Sequence, residues 1–167
     1  MNQWSMRMNT SEPKQMIVVR TDLRNSKGQK VRTGKLIAQG AHASLKAVLS
    51  LGEIQREYSN FTDKLIETNL CIPLYRKMIR SSDLPEIHQT ALIEWMNGKY
   101  TKVCVSVNSE QELLQIYQQA KDAGLLCSLV TDVGLTEFDG VPTHTVVAIG
   151  PAFPDEVDKI TGKLPLL

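Results

Sequence analysis

Residues 16–21 read MIVVRT, and this short stretch decides the fold class. Apolar and β-branched residues run through it without polar alternation, which is typical of a strand that is buried on both faces. The polar stretch DLRNSKGQKVRT follows, and a helix is predicted from about Gly34 to Leu49. A buried strand that leads into a helix in this way favours an α/β protein.

The rest of the chain supplies more elements of both kinds. Apolar residues alternate in VCVSV, residues 103–107, which predicts a second strand. Ser109-x-x-Glu112 is a capping box and Gly124 suits a C′ position, so a helix is expected between them. We also predict strands at residues 125–131 and 144–150, a helix at residues 87–96, and a last helix that starts at Pro154.

The order of these elements predicts a three-layer α/β/α domain with a four-stranded mixed β-sheet. A loop rather than a helix joins the last two strands, so they are either an antiparallel pair or lie apart in the sheet. We expect residues 1–15 to be a flexible leader and residues 16–167 to form a single domain.

Composition gives only broad limits on function. The chain has 167 residues, of which 42% are hydrophobic, and a net charge of +1, so any nucleic-acid binding must come from a local patch. It has neither a membrane-span-like apolar run nor the apolar core of a signal peptide. Cys71, Cys104 and Cys127 lack C-x-x-C spacing, and we expect buried, reduced thiols in a cytosolic protein.

Lys35 is unusual because it falls in the first turn of the predicted helix after the first strand. The helix dipole disfavours a cation there by about 0.3–1 kcal/mol, whereas an anion bound at the free N–H groups would be stabilised by it. Other cations crowd the same stretch, namely Arg20, Lys27, Lys30 and Arg32. A phosphate-binding corner is one interpretation, and a solvated lysine in a basic loop is the other. Gln39 and His42 follow along the same helix face.

A second group of polar residues surrounds the last predicted strand. Asp132 follows the third strand, where ligands gather in open α/β sheets, and Thr136 lies four residues further on. Thr143 and Thr145 share one face of the next strand by its two-residue period. A carboxylate and hydroxyls at a strand end could position a water molecule, but an aspartate that caps a turn is an equally good interpretation. The histidines have no metal-site spacing, and residues alone name no substrate.

Taken together, these segments resemble the type 2 peptidyl-tRNA hydrolase family. The resemblance lies in GKLIAQGAHASL at residues 34–45, TDVGLTEF at residues 131–138 and AIGPAFPDEVDKITGKLPLL at residues 148–167, in the family's order. It implies hydrolysis of the ester between a peptide and the 3′ end of tRNA, which recycles stalled peptidyl-tRNA in the cytoplasm. It also implies a homodimer that needs no cofactor, no metal and no membrane.

The resemblance also assigns roles to individual residues. By motif position, catalytic roles fall on Lys35, Asp132, Thr136 and Thr145, and substrate-binding roles on Arg20, Gln39, His42, Thr143 and His144. In this hypothesis Asp132 orients or activates a water molecule that Thr136 and Thr145 hold, and Lys35 stabilises the oxyanion or the terminal phosphate. The identity of the general base stays open.

The chain departs from the family pattern in several places. Residues 52–85 are expected to be an insertion, the loop before Lys35 is longer than usual, and His144 stands where arginine is common. Two alternatives to an active peptidyl-tRNA hydrolase remain: a catalytically silent module that binds tRNA or protein, and a hydrolase of another nucleotide conjugate.

Overall fold

The computed structural model describes residues 11–49 and 84–167. Its strands are β1 (Lys14–Arg20), β2 (Lys102–Val107), β3 (Cys127–Asp132) and β4 (Thr143–Ala152). Its helices are α1 (Thr33–Leu49), α2 (Glu86–Asn97), α3 (Glu110–Asp122) and α4 (Pro154–Thr161). The expected insertion, apart from residues 84–85, and the first ten residues of the expected leader lie outside the described residues.

The four strands form one mixed sheet in the order β2-β1-β4-β3. β1 runs parallel to β2, while β4 runs antiparallel to both β1 and β3. This confirms the predicted mixed sheet and identifies the last two strands as an antiparallel pair. β1 lies inside the sheet, and its residues from Gln15 to Arg20 are buried, as the MIVVRT stretch predicts.

Helices cover both faces of the sheet, which confirms the three-layer architecture. On one face, Ala43 and Ala47 of α1 pack against Ile17 and Val19 of β1, and these small side chains let the helix approach closely. On the other face, α3 and α4 pack on the sheet through a cluster that includes Leu113, Ile116 and Val157, together with Val18 and Val147. None of the helices in the described ranges is long and apolar enough to cross a membrane.

The predicted capping of α3 is confirmed with one shift. The Ser109 hydroxyl accepts a hydrogen bond from the backbone N–H of Glu112 at 3.1 Å. The Glu112 carboxylate accepts from the backbone N–H of Asn108 at 2.8 Å, one residue before the donor that a capping box normally uses. Both contacts satisfy backbone donors at the helix start.

The expectation of buried cysteines is wrong for Cys104, whose side chain is exposed. β2 is an edge strand, and the side of β2 that carries Cys104 does not share in the α1 cluster. The C-terminal segment pairs with the outer edge of β2 instead, through a hydrogen bond from the Leu167 N–H to the Cys104 carbonyl at 3.1 Å. Cys127 is half-buried, and burial raises the pKa of its thiol. Cys71 lies outside the described residues.

Candidate active site

The sheet topology brings two distant parts of the sequence to one end of the domain. β3 runs in the same direction as β1 because both are antiparallel to β4. One end of the sheet therefore contains the C-terminal ends of β1 and β3 and the start of β4. Ligands bind at this end of the strands in open α/β sheets. The chain leaves β1 there and returns to begin α1, so the first turn of α1 faces the loop after β3.

Lys35 joins these two parts directly. Its ammonium nitrogen lies 2.6 Å from the Asp132 carboxylate and donates a hydrogen bond of 2.9 Å to the Thr136 hydroxyl. Only 15% of the Lys35 side chain and 9% of the Asp132 side chain are exposed, so water screens this ion pair less than a surface pair. An ammonium group has three N–H donors, and these two contacts leave one for a ligand.

Asp132 is held as an ionised carboxylate. Besides Lys35, it accepts from the Gln39 side-chain amide at 2.6 Å and from the backbone N–H of Gly134 at 2.8 Å. Burial raises the pKa of Asp132, but the hydrogen bonds from Lys35, Gly134 and Gln39 and the Lys35 charge outweigh it, so the pKa lies below its usual value. A carboxylate that is so well supplied with donors is a weak base and suits the positioning of a water molecule.

The tight turn after Asp132 depends on Gly134. Its φ angle is +86°, a conformation that L side chains rarely adopt, and an added Cβ would lie 2.5 Å from the Val141 carbonyl oxygen. This turn presents the Gly134 N–H to the Asp132 carboxylate and brings Thr136 back toward Lys35.

Behind Asp132, Gln39 and Thr145 form a buried pair. Gln39 is 5% exposed and Thr145 is fully buried. The Thr145 hydroxyl lies 3.3 Å from the Gln39 side-chain oxygen and 3.3 Å from the Val130 carbonyl oxygen. Since a carboxylate only accepts hydrogen bonds, this pair turns the Gln39 NH₂ group toward Asp132.

Arg20 lies at the same end of the sheet, but its guanidinium is bound within the protein. It is 8% exposed and makes two hydrogen bonds to the Asp22 carboxylate, at 3.0 and 2.7 Å, and one to the His144 carbonyl at 2.9 Å. The hydrogen bond with Asp22 raises the pKa of Arg20, so the group stays charged. Arg20 therefore fixes the end of β1 to the start of β4.

The other predicted substrate-binding residues make no hydrogen bond to the Lys35–Asp132 pair in the described part of the chain. The His144 ring contacts the Thr131 hydroxyl at 2.8 Å, and the Thr143 hydroxyl donates to the Val141 carbonyl at 2.9 Å. His42 is exposed on α1. The structure thus brings together Lys35, Gln39, Asp132, Thr136 and Thr145, and leaves Arg20, His42, Thr143 and His144 outside that hydrogen-bonded cluster.

The structure adds a residue that sequence reasoning missed, Glu137. This buried carboxylate accepts a hydrogen bond from the Arg32 guanidinium, which lowers the pKa of Glu137, and its second oxygen has no partner among the described residues. The contact ties the loop after Asp132 to the start of α1, parallel to the tie made by Lys35. The missed signal is that residues 23–36 contain cations and no acid, so their partners must come from elsewhere in the chain.

The cluster has the parts that ester hydrolysis requires. A fixed carboxylate can orient a water molecule, and a cation with a remaining donor can meet the oxyanion that forms on a carbonyl oxygen. Within residues 11–49 and 84–167, no group of three or more His, Cys, Asp or Glu side chains could hold a metal ion.

Comparison with known proteins places this geometry in a family context. The family model "Peptidyl-tRNA hydrolase PTH2" matches residues 13–167. A peptidyl-tRNA hydrolase of Methanocaldococcus jannaschii is 34% identical over 92% of this chain and 99% of its own length. Peptidyl-tRNA hydrolases of Methanopyrus kandleri and Halobacterium salinarum are each 36% identical over 92% of this chain, and over 97% and 98% of their own lengths.

Proposed function

Because this chain belongs to the peptidyl-tRNA hydrolase PTH2 family, we propose that it hydrolyses the ester that joins a peptide to the 3′ end of tRNA. The observation that carries the proposal is the contact of Lys35 with both Asp132 and Thr136, since Lys35 and Thr136 are 101 residues apart in the sequence. An α/β fold by itself would need no such cluster, because fold does not imply function.

In the proposed reaction, Asp132 and Thr136 hold a water molecule against the ester carbonyl. Attack by water breaks the carbonyl π-bond and places a negative charge on its oxygen, which the third N–H of Lys35 stabilises. The attacking water gives up one proton as it adds. The tetrahedral intermediate then collapses and expels the ribose 3′ oxygen, which takes up that proton, so the products are a free peptide acid and the 3′ hydroxyl of tRNA. Loss of one such donor typically costs about 2.7–4 kcal/mol, or about 10²–10³ in kcat.

Gln39 and Thr145 act behind the reacting atoms. The buried position of Thr145 supports a role in turning Gln39 toward Asp132, and Gln39 in turn fixes the direction of the Asp132 carboxylate. Arg20, His42, Thr143 and His144 are proposed to contact the substrate around this centre. Arg20 and Thr143 line a groove beside residues 133–142, here named the catalytic loop.

The proposed setting is translation in the cytoplasm, where released peptidyl-tRNA is recycled. A homodimer is also proposed, and the outer side of α1 supports it. Ile37, Leu45 and Leu49 lie along this helix at intervals of eight and four residues and are 68%, 61% and 40% exposed. An exposed apolar stripe of this kind suits a protein contact.

Turnover of N-acetyl-aminoacyl-tRNA, with a chelator present, tests the function. Wild type should be active, and Lys35→Ala and Asp132→Ala should each lose about 10²–10³ in kcat. Lys46→Ala is the matched control, since Lys46 is an exposed lysine on the same helix, and it should keep wild-type kcat. Folded wild type that binds tRNA without turnover would disprove the hydrolase and indicate a binding module. Activity that the chelator abolishes would contradict the proposed metal-free reaction.

A further inference from the structure

The loop between β1 and α1 contains a small, highly basic hairpin. Residues 24–30, here named the basic hairpin, carry Arg24, Lys27 and Lys30, and the next acid after Asp22 lies beyond residue 49. The whole chain has 19 Lys and Arg against 18 Asp and Glu, so a stretch with cations alone is a local departure from balance. Arg24, Lys27 and Lys30 are all exposed.

The basic hairpin has a defined shape. Arg24 and Lys30 form an antiparallel bridge, and the N–H of Asn25 bonds the Gln29 carbonyl at 2.8 Å. The Asn25 side-chain oxygen accepts from the backbone N–H groups of Lys27 and Gln29, at 3.0 and 2.9 Å. Gly28 permits the turn with a φ angle of +72°. The backbone that carries these charges is already ordered, so binding loses less backbone conformational entropy.

The basic hairpin is also attached to the catalytic loop. At its base, Leu23 and Val31 form a buried cluster with Phe138, and the backbone N–H of Ser26 donates to the Glu137 carbonyl at 3.0 Å. Phe138 in turn lies under Lys35, whose ammonium nitrogen is 5.7 Å from the ring centre. The hairpin therefore keeps a fixed position relative to the Lys35–Asp132 pair.

A groove of about 340 Å³ runs between the basic hairpin and the catalytic loop. Arg24 and Ser26 line one side, and Phe138, Asp139 and Val141 line the other. Its charges nearly balance, because Asp22 and Asp139 accompany Arg20 and Arg24. A groove with balanced charge suits an uncharged nucleoside better than a phosphate. The unbalanced positive charge is on Lys27 and Lys30, which have no ion-pair partner among the described residues.

We propose that Lys27 and Lys30 of the basic hairpin bind the phosphate backbone of an RNA substrate, whose 3′ end passes along this groove to Lys35 and Asp132. The inference rests on the proposed function for the direction of the RNA, and it adds a binding surface outside the catalytic cluster. Two phosphate contacts would contribute about −1.4 to −1.8 to the slope of log K against log salt. The near-neutral remainder of the chain keeps the total slope shallower than about −5.

The test compares Lys27→Gln/Lys30→Gln with Lys159→Gln/Lys163→Gln, an equal change of charge at exposed lysines on and after α4. With N-acetyl-aminoacyl-tRNA at about 0.1 M salt, the hairpin variant should raise KM about tenfold or more, leave kcat unchanged and flatten the salt slope by about 1.4–1.8. The α4 variant should match wild type. With N-acetyl-aminoacyl-adenosine, which has no phosphate, all three proteins should have the same KM.

Unchanged KM and salt slope in the hairpin variant would overturn the inference, while wild-type turnover would leave the proposed function intact. Equal losses on the phosphate-free ester, or in the α4 variant, would overturn it too, since the effect would then be catalytic or nonspecific. Binding of deacylated tRNA gives a readout that needs no turnover. If hairpin-dependent binding is found in a wild type that hydrolyses nothing, the inference stands and the proposed function fails.

Discussion

Replacement of Gln39 by methionine tests whether the buried pair behind Asp132 helps to lower the pKa of the Asp132 carboxylate, the group proposed to orient the water molecule. Methionine keeps most of the side-chain volume, so it removes the amide without leaving a large cavity. The Asp132 carboxylate then loses the 2.6 Å hydrogen bond from Gln39 and keeps those from Lys35 and Gly134. Thr145 keeps the Val130 carbonyl as an acceptor, so no buried hydroxyl is left unpaired.

The expected loss follows from the type of bond that is removed. A hydrogen bond to a charged group contributes about 1.5–3 kcal/mol, and the lower end applies because Asp132 keeps two other donors. Only the part of the bond that strengthens in the transition state affects kcat, so kcat should fall at most roughly tenfold, which corresponds to about 1.5 kcal/mol. For a chain of this size, the same loss should lower Tm by about 3–6 °C.

The pH profile of kcat gives the decisive measurement. Donors to the ionised form keep the pKa of Asp132 low, so loss of one raises that pKa, and the acid limb should move to higher pH. Gln39 contributes less to this lowering than Lys35 does, so Gln39→Met should move the limb by less than Lys35→Met. An acid limb identical to that of wild type, or a larger shift in Gln39→Met than in Lys35→Met, would refute this reasoning.

The loop after Asp132 leads to three more expectations. Gly134→Ala should lower kcat and Tm sharply, because its Cβ would lie 2.5 Å from a backbone oxygen, whereas Gly28→Ala, with open space around the Cβ, should cost only about 1–2 kcal/mol in thermal melts. Glu137→Gln should lower kcat, since the amide holds Arg32 and the loop less firmly, and charge-restoring Glu137→Asp should recover part of it in steady-state assays. The folded protein holds the pKa of Asp132 below 3.8 and that of Glu137 below 4.5, the ordinary values of these groups. The stability that these carboxylates add is therefore present above their ordinary pKa values, and it is lost as the pH falls through their pKa values in the folded protein. Denaturant titrations from about pH 7 to about pH 2 would measure this loss.

Most of the fold could be predicted because its signals are local. The apolar run at residues 16–21, the capping box at Ser109 and Pro154 at a helix start each act within a few residues. The errors lie where distant pairing sets a boundary. β4 extends to Ala152, beyond the predicted end at residue 150, because Ala152 pairs with Lys14 across the sheet. The burial of Cys104 was misjudged for the same reason, since edge position depends on strand order.

The site likewise has features that the sequence predicts and features that depend on contacts between distant residues. Motif order predicted that Lys35 and Asp132 act together, and the sheet topology explains why their side chains meet at one end of the sheet. Sequence could not show that Thr145 faces inward to Gln39, because both faces of β4 are buried. Nor could it show Glu137, whose partner Arg32 is 105 residues away and whose burial depends on the loop's return to α1.

The position of Lys35 connects stability with function. α1 has no acidic residue in its first turn, so the dipole penalty of about 0.3–1 kcal/mol on Lys35 has no local compensation. Asp132 supplies it from the other end of the sequence, with an ion pair of 2.6 Å. Removal of two charges from water offsets much of the gain from this pair, so the pair is better explained by its geometry than by its contribution to stability. Because one Lys35 donor remains unused in the described structure, the oxyanion of the proposed reaction would meet a cation that is already in place, and little reorganisation would be needed at the moment of reaction.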